Sequence, residues 1–399
     1  MTKSKPTVEE LREAWRSRGW PEEMLERAHE LRVRRSHIKR WAAGERWNIE
    51  KLHKALDRRA RLLAGTMGVR EATWEDSEAL ADLYANSPEE VGEWEVTVER
   101  GPYPFAQFRL QERAKIHVLE DGGVFLAAMA HSNRPSLVGG RPITVHISSA
   151  WRVREECRGE GYGPLVQRAV RPPVTESGVG SYYYRRDAGG RRKRRMSATV
   201  HCFAGRSFEG DARGIRLAGP PDIRSCIELI NRTHQGLDLF RPYSDEYLQG
   251  KLDDSCRGPE SESRPAVYGR QDYYLLEEGG RTVACAGLWD KGRHVREVWR
   301  RKVSGEQRVI ESTVLLDFGY AEGREDAMAR LIGYLIGVTD GLGRDQLIAP
   351  LEFLPSLARQ LTSYEPITEK RAFYWQPDKV LKDLGLRMLA RPYTDLAYW

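Results

Sequence analysis

Arg158, Gly161 and Gly163 fall within six positions of one another, directly after an apolar stretch carrying Ile143, Val145 and Ile147, with Ala150 and Val153 further on. Beyond them Leu165, Val166 and Ala169 recur at helical spacing. The order predicts a strand over Ile143–Val153, a glycine-rich turn and a helix. Glycine lets the backbone adopt positive φ and approach a ligand closely. The unpaired N–H groups of such a turn and of the helix start attract an anion, helped by the helix dipole. Pro164 is expected at the first helical position, where a missing N–H costs little. The stretch therefore reads as a pyrophosphate cradle. It is neither a G-x-G-x-x-G dinucleotide loop nor a P-loop ending in Gly-Lys-Ser/Thr.

Arg158-x-x-Gly161-x-Gly163 after a strand resembles the acyl-CoA loop of the GCN5-related N-acetyltransferases (GNAT), and the V-R-x-A-x-x-x-D opening of Val69–Asp76 resembles their first strand and turn. The resemblance implies acetyl-CoA or another acyl-CoA as co-substrate, with no metal. Trp151, Arg152, Val153, Arg158, Gly159, Glu160, Gly161, Tyr162 and Gly163 would hold it, the backbone around Trp151–Val153 polarising the thioester carbonyl. An acceptor amine would attack directly and must lose a proton. In the family that base comes from the fourth strand or nearby, which here offers His146, Ser148, Glu155 and Glu156. Relatives also carry a helical tyrosine that protonates the departing thiolate. This chain has Asp187–Arg195 in that place with no tyrosine, so Tyr182, Tyr183 or Tyr184 of the fifth strand, Gly180–Arg185, are the candidates for it. The basic run from Arg185 and Arg186 through Arg191–Arg195 follows that strand and suits a phosphate or an anionic acceptor.

The elements that must position these residues recur. A strand, a turn with Asp222 and a helix over Ile223–Thr233 repeat the order of Val69–Asn86, about 145 residues on. Hairpins through Asp121-Gly122-Gly123 and Glu278-Gly279-Gly280 follow in each half. In the second half the place of the cradle is taken by Gly319–Met328, where Glu322, Glu325 and Asp326 would repel a pyrophosphate. The expected fold class is α/β (α+β): tandem GNAT folds, each a mixed, mostly antiparallel sheet flanked by helices, preceded by a small all-α domain. The divisions are residues 1–64, a cofactor-competent 69–205, a degenerate 214–376 and a tail over 377–399.

The formal charge of +6 is concentrated in the head. Residues 1–64 hold 17 Lys+Arg against 10 Asp+Glu, leaving 47 against 48 elsewhere. Thr7 with Glu10 is a capping box for the first helix, and a fourth helix opens near Ile49. Met24–Leu56 resembles a phage-repressor helix-turn-helix, which implies Arg34, Arg35, Lys39 and Arg40 at DNA or RNA through residues 20–64, and a homodimer to read enough base pairs. The rival reading has Trp15, Trp20, Trp41 and Trp47 packing the head onto the catalytic body. Five scattered cysteines give no disulfide framework or zinc site. With no membrane span and no signal peptide, a cytoplasmic protein is expected.

The sequence thus favours an N-acetyltransferase acting on an amine it does not identify. The competing reading is a helix-turn-helix regulator that senses acyl-CoA or a metabolite without turnover. Transfer from aminoacyl-tRNA is a narrower third reading, against which the intact loop argues.

Overall fold

The computed structural model describes residues 7–31, 33, 38, 41–42, 48–101, 103–111, 114–170, 179–185, 195–253 and 267–376, with backbone alone for 179–185, 195–198 and 370–376. Arg34, Arg35, Lys39, Arg40, Trp47 and the tail 377–399 lie outside the described residues.

The head opens on α1 (Val8–Arg16) and α2 (Glu22–Glu30). The capping box forms as the sequence predicts: Thr7 Oγ1 accepts the Glu10 N–H at 3.2 Å, and Glu10 Oε2 accepts the Thr7 N–H at 2.7 Å. A 16-residue helix, α3 (Ile49–Ala64), starts on the Asn48 side-chain cap and stops at Gly65, φ +75°. Trp15 and Trp20 are buried with Leu11, Leu25, Ile38, Leu52 and Leu56 in a core of the head's own. For Trp15 and Trp20, and for Trp41 packed against the same core, this corrects the expectation that they dock the head on the body. The head reaches the body through α3 instead, whose Leu62 packs with Met67, Tyr162 and Val166.

The body's strands begin with β1 (Met67–Glu71), after which α4 (Ser77–Ala85) leads to β2 (Glu89–Val91) and β3 (Trp94–Arg100). The short α5 (Ala106–Arg109) precedes β4 (Lys115–Asp121), β5 (Val124–Val138) and β6 (Arg141–Val153). Then come α6 (Tyr162–Val170), β7 (Val179–Arg185) and β8 (Arg195–Ala204). The order recurs with β9 (Ile215–Leu217), α7 (Ile223–Thr233), α8 (Asp245–Asp253), β10 (Tyr273–Glu278) and β11 (Arg281–Trp289). It ends with β12 (Val295–Arg301), β13 (Gln307–Tyr320), α9 (Glu325–Gly341), β14 (Gln346–Ala349), α10 (Pro355–Gln360) and β15 (Ile367–Gln376). This is the mixed, mostly antiparallel α/β architecture the sequence implies.

Two couplings bind the halves. The main sheet runs β1-β4-β5-β6-β7-β15-β8-β14-β13-β11-β10-β9, so the last strand lies between β7 and β8, and β8 pairs with β14. Separately β3 pairs with β12 along seven residues, Val295 opposite Arg100 through Arg301 opposite Trp94. One apolar core accordingly mixes Val145, Ile147, Val200 and Cys202 with Cys226, Ile230, Leu316 and Ile348.

On one face of the first-half sheet Leu80, Leu83 and Tyr84 of α4 cover Ile116, Val118, Phe125 and Ala130. On the other, Tyr162, Val166 and Val170 of α6 cover Leu119, Ala127 and Met129. A strand's alternating side chains make both faces apolar here.

Candidate functional site

Strand β6 pairs in parallel with β7 from Thr144 opposite Val179 to Ser148 opposite Tyr183, where the pairing stops. Just beyond, Ala150 has φ +50°. On its other edge β6 pairs Ser149 with Ala130 and Arg152 with Ala128, so Ala150 and Trp151 stand opposite the single residue Met129. This is a β-bulge. It releases backbone from the ladder where β6 and β7 part. Tyr84 fixes the bulge from below, its hydroxyl donating to the Ala150 carbonyl at 3.2 Å. The buried Arg100 guanidinium lies 4.5 Å from the centre of the Tyr84 ring and donates to Gln107 Oε1 at 3.0 Å. Burial lowers the pKa of Arg100 to about 10, which leaves it charged at neutral pH.

The strand delivers the glycine loop. A short turn over Glu155–Cys157 is followed by Gly159 and Gly161, both at φ +82°. No other residue type holds that conformation so cheaply. The N–H groups of Gly159 and Gly161 make no hydrogen bond among the described residues. Helix α6 begins at Tyr162, so Pro164 sits in its first turn and not at the first position expected. Its missing N–H still falls among those a helix leaves unpaired. Two unpaired glycine N–H groups and a helix start thus lie together in one loop, a combination that suits a pyrophosphate. The indole of Trp151 closes against Gly163.

The loop does not stand alone, for α3 crosses it. Lys54 Nζ lies 3.4 Å from Glu160, Arg61 donates to the Tyr162 hydroxyl at 3.0 Å and pairs with Asp121, and the Arg58 guanidinium stacks 5.6 Å from the Tyr162 ring centre. Burial, with the Glu160 hydrogen bond and charge adding to it, raises the Tyr162 pKa. Nothing in the sequence spacing flagged Lys54, Arg58 or Arg61 as site residues. Only the concentration of charge in the head pointed at that segment.

The remaining predicted residues separate into groups. Arg158 is exposed, donates to the Pro88 carbonyl, and faces Glu155 at 3.9 Å. Glu155 and Glu156 sit on the turn with side chains 60% and 65% exposed, the second 3.8 Å from Arg154. Arg152 pairs with Glu89, and Val153 packs in the α6-side core. His146 and Ser148 share a face of β6 and are buried. Tyr182, Tyr183 and Tyr184 are on β7, with Tyr183 at the last parallel pair; their side chains lie outside the description.

His146 belongs to a row of imidazoles across three strands. His117 on β4 is 4.8 Å from His131 on β5, which stacks 5.3 Å from His146, ring centre to ring centre. His146 Nδ1 meets Asn133 Oδ1 at 2.9 Å, so it carries the proton and leaves Nε2 with a buried lone pair and no hydrogen bond. Burial lowers the pKa of His146 to about 4, and burial with the neighbouring imidazoles lowers that of His131 to about 4. No group of three or more His, Cys, Asp or Glu among the described residues could hold a metal.

The second half repeats the bulge and fills it. Gly287 pairs with Leu316 and Cys285 with Gly319, leaving Asp317 and Phe318 opposite Ala286, with Asp317 at φ +47°. The buried Asp317 carboxylate accepts from Lys251 Nζ and Tyr243 Oη, both at 2.6 Å, and from Tyr268 Oη at 3.0 Å. Its carbonyl accepts from Tyr273 Oη at 2.8 Å. In the loop that follows, Arg324 is held by Asp326 and Glu278.

No family model and no curated protein matches the sequence. The fold has solved counterparts. The chain is similar to Saccharomyces cerevisiae N-myristoyltransferase with bound myristoyl-CoA, with a TM-score of 0.58 and 11% identity over 78% of this chain and 84% of that one. A second structure of that protein, with myristoyl-CoA and inhibitors, gives 0.57 at 11% identity over 78% and 80%. A GCN5-related N-acetyltransferase from Sphaerobacter thermophilus gives 0.45 at 15% identity, over 84% and 99%. At 11% identity the likeness to N-myristoyltransferase is one of fold.

Proposed function

We propose that the chain is an acyl-CoA-dependent N-acyltransferase that moves an acyl group, acetyl in the first instance, to an amine by direct attack. The observation that carries this reading is the coincidence of the Ala150 bulge, the parting of β6 from β7 and the unpaired N–H groups of Gly159 and Gly161 at one place. The solved protein of similar fold binds myristoyl-CoA, which supports an acyl-CoA over other pyrophosphates.

Acyl-CoA would supply an activated acyl carbon; the rest of the chemistry falls to the chain. Backbone freed at Ala150 and Trp151 would hold the pantetheine arm and turn N–H groups toward the thioester oxygen. Glycine-loop N–H groups and the start of α6 would take the pyrophosphate. As the amine nitrogen bonds to the acyl carbon and the carbon–sulfur bond breaks, one proton must leave nitrogen and one must reach sulfur. Of the bases the sequence offers we take His146 Nε2, which is neutral and has no hydrogen-bond partner, although a pKa lowered to about 4 makes it a weak base. Glu155 and Glu156 are exposed and face arginines, which suits them less. A β7 tyrosine, Tyr183 or Tyr184, would protonate the thiolate.

The two halves would be a duplicated unit with one working cofactor site. Asp317 and its three donors fill the second bulge, so one acyl-CoA per chain is expected. The test is calorimetry with acetyl-CoA and longer acyl-CoAs, followed by an acceptor screen that reads free thiol. Gly161→Asp should weaken binding at least tenfold, about 1.4 kcal/mol, because it strains a φ of +82° and sets a carboxylate against phosphate. Two equal sites, or no effect of that change, would sink the assignment.

A further inference from the structure

Helix α3 spends three basic residues on the glycine loop, and they are not equivalent. Lys54 is shared between Glu50 and Glu160, each at 3.4 Å. Arg61 is committed to Asp121 and the Tyr162 hydroxyl. Arg58, one helical turn from each, makes no hydrogen bond and no salt bridge among the described residues, although the Glu160 charge acts on it at longer range. It is half-buried, and burial lowers its pKa from the ordinary arginine value. Tyr162 and the Glu160 carboxylate act in its favour and Arg168 and Arg61 against it, and the net direction stays downward because burial dominates.

Burying a guanidinium costs free energy that stacking on Tyr162 and the distant Glu160 charge offset only in part, since neither accepts a hydrogen bond from it. Its position indicates what would offset the rest. A β-carbon added to Gly161 would meet Arg58 Nη1 at 3.4 Å and the guanidinium carbon at 3.7 Å. The fork therefore lies over the glycine whose N–H is unpaired. A guanidinium binds phosphate oxygens bidentately while loop N–H groups take others.

We propose that Arg58 is a pyrophosphate ligand for acyl-CoA, supplied to the loop by the last helix of the N-terminal segment. The inference rests on the acyl-CoA reading of that loop. It assigns the segment a role in the site: α3 is pinned beside the loop by Lys54–Glu160 and Arg61–Tyr162, and those pairs hold Arg58 in place. It also explains why the basic excess in the head does not all face solvent.

The experiment uses the full chain and three ligands by calorimetry: CoA, 3′-dephospho-CoA, and acetyl-pantetheine, which has no phosphate. Arg58→Ala should weaken CoA and 3′-dephospho-CoA alike, by tenfold or more, and leave acetyl-pantetheine unchanged. Arg58→Lys should recover part of the loss, since it keeps the charge without the fork. Near-ultraviolet circular dichroism and Tm serve as the folding control, with Arg58→Gln as a second neutral variant. Unchanged CoA affinity in a folded Arg58→Ala chain would overturn the proposal, as would tighter binding, which would make Arg58 a plug. A loss confined to CoA would move the contact to the 3′-phosphate and overturn the pyrophosphate assignment. Failure of the parent chain to bind CoA at all would overturn the acyl-CoA reading beneath it, a result distinct from binding that survives loss of Arg58.

Discussion

The indole of Trp151 lies 2.7 Å from the point where a β-carbon on Gly163 would stand. The bulge residue and the helix start are thereby locked together, with no room for a methyl group between them. Gly163→Ala should consequently displace Trp151 from the mouth of the β6–β7 opening. Alanine is otherwise the better helix former by up to about 1 kcal/mol, so any destabilisation measures the clash. We expect at least a fivefold loss of CoA affinity, and partial recovery in the Trp151→Ala, Gly163→Ala double variant. Simple additivity of the two changes would show that the contact does not govern the site.

The pairing of β8 with β14 and β15, and of β3 with β12, means that neither half completes its own sheet. A fragment ending at residue 210 would leave β8 without either partner and expose Val145, Val200 and Cys202 of the shared core. It should be insoluble or fail to unfold cooperatively. A well-folded 1–210 fragment with CoA affinity intact would refute the shared core.

Asp317 and Lys251 form a buried pair at 2.6 Å, with both side chains no more than 4% exposed. Removing one partner leaves a buried charge, which costs about 3–5 kcal/mol. Lys251→Met should destabilise the chain by that order. Asp317→Leu with Lys251→Met should recover much of it, and chemical denaturation of the three chains gives the coupling directly. If the second bulge instead served as another acyl-CoA site, the single variant would change CoA stoichiometry, which we do not expect.

Much of this molecule was legible in its sequence, and the limits of that legibility have physical causes. The Ile223–Thr233 helix stands where its periodicity puts it, because it buries a face whose pattern is local. Glycine loops declare themselves through residue type, since positive φ selects glycine at 159 and 161. Strands β3 and β12 carry alternation too, with Trp94, Val96 and Val98 on one face, but their charged partners masked it. The place of β15 between β7 and β8 depends on residues nearly 200 positions apart, which no local pattern encodes. Asp317 left a signal that was missed: a carboxylate inside the run Leu315, Leu316, Phe318 must be partnered if buried. Arg58 left none, since its meaning comes only from the helix packing across a loop about 100 residues away.

The imidazole row gives a prediction in pH. His131 and His146 have folded-state pKa values lowered to about 4, against about 6.5 in an unfolded chain. Between these values the unfolded state binds more protons, so stability is full above about 6.5 and falls as pH drops toward 4. Each histidine can withdraw up to about 3 kcal/mol across that window. His117 shifts in the same direction, and the charged groups that act on the row are Glu71 and Lys115. Replacing His131 and His146 by Gln should therefore flatten the decline in urea midpoint between pH 7 and pH 4.5. The flattening should be partial, because the buried His234 and His294 are lowered to about 4 as well. Parallel pH profiles for parent and variant would show that the row is not what titrates. If His146 also takes the proton from the acceptor amine, the acidic limb of the activity profile should lie well below 6.5, and an ordinary histidine limb near 6.5 would assign that role to another group.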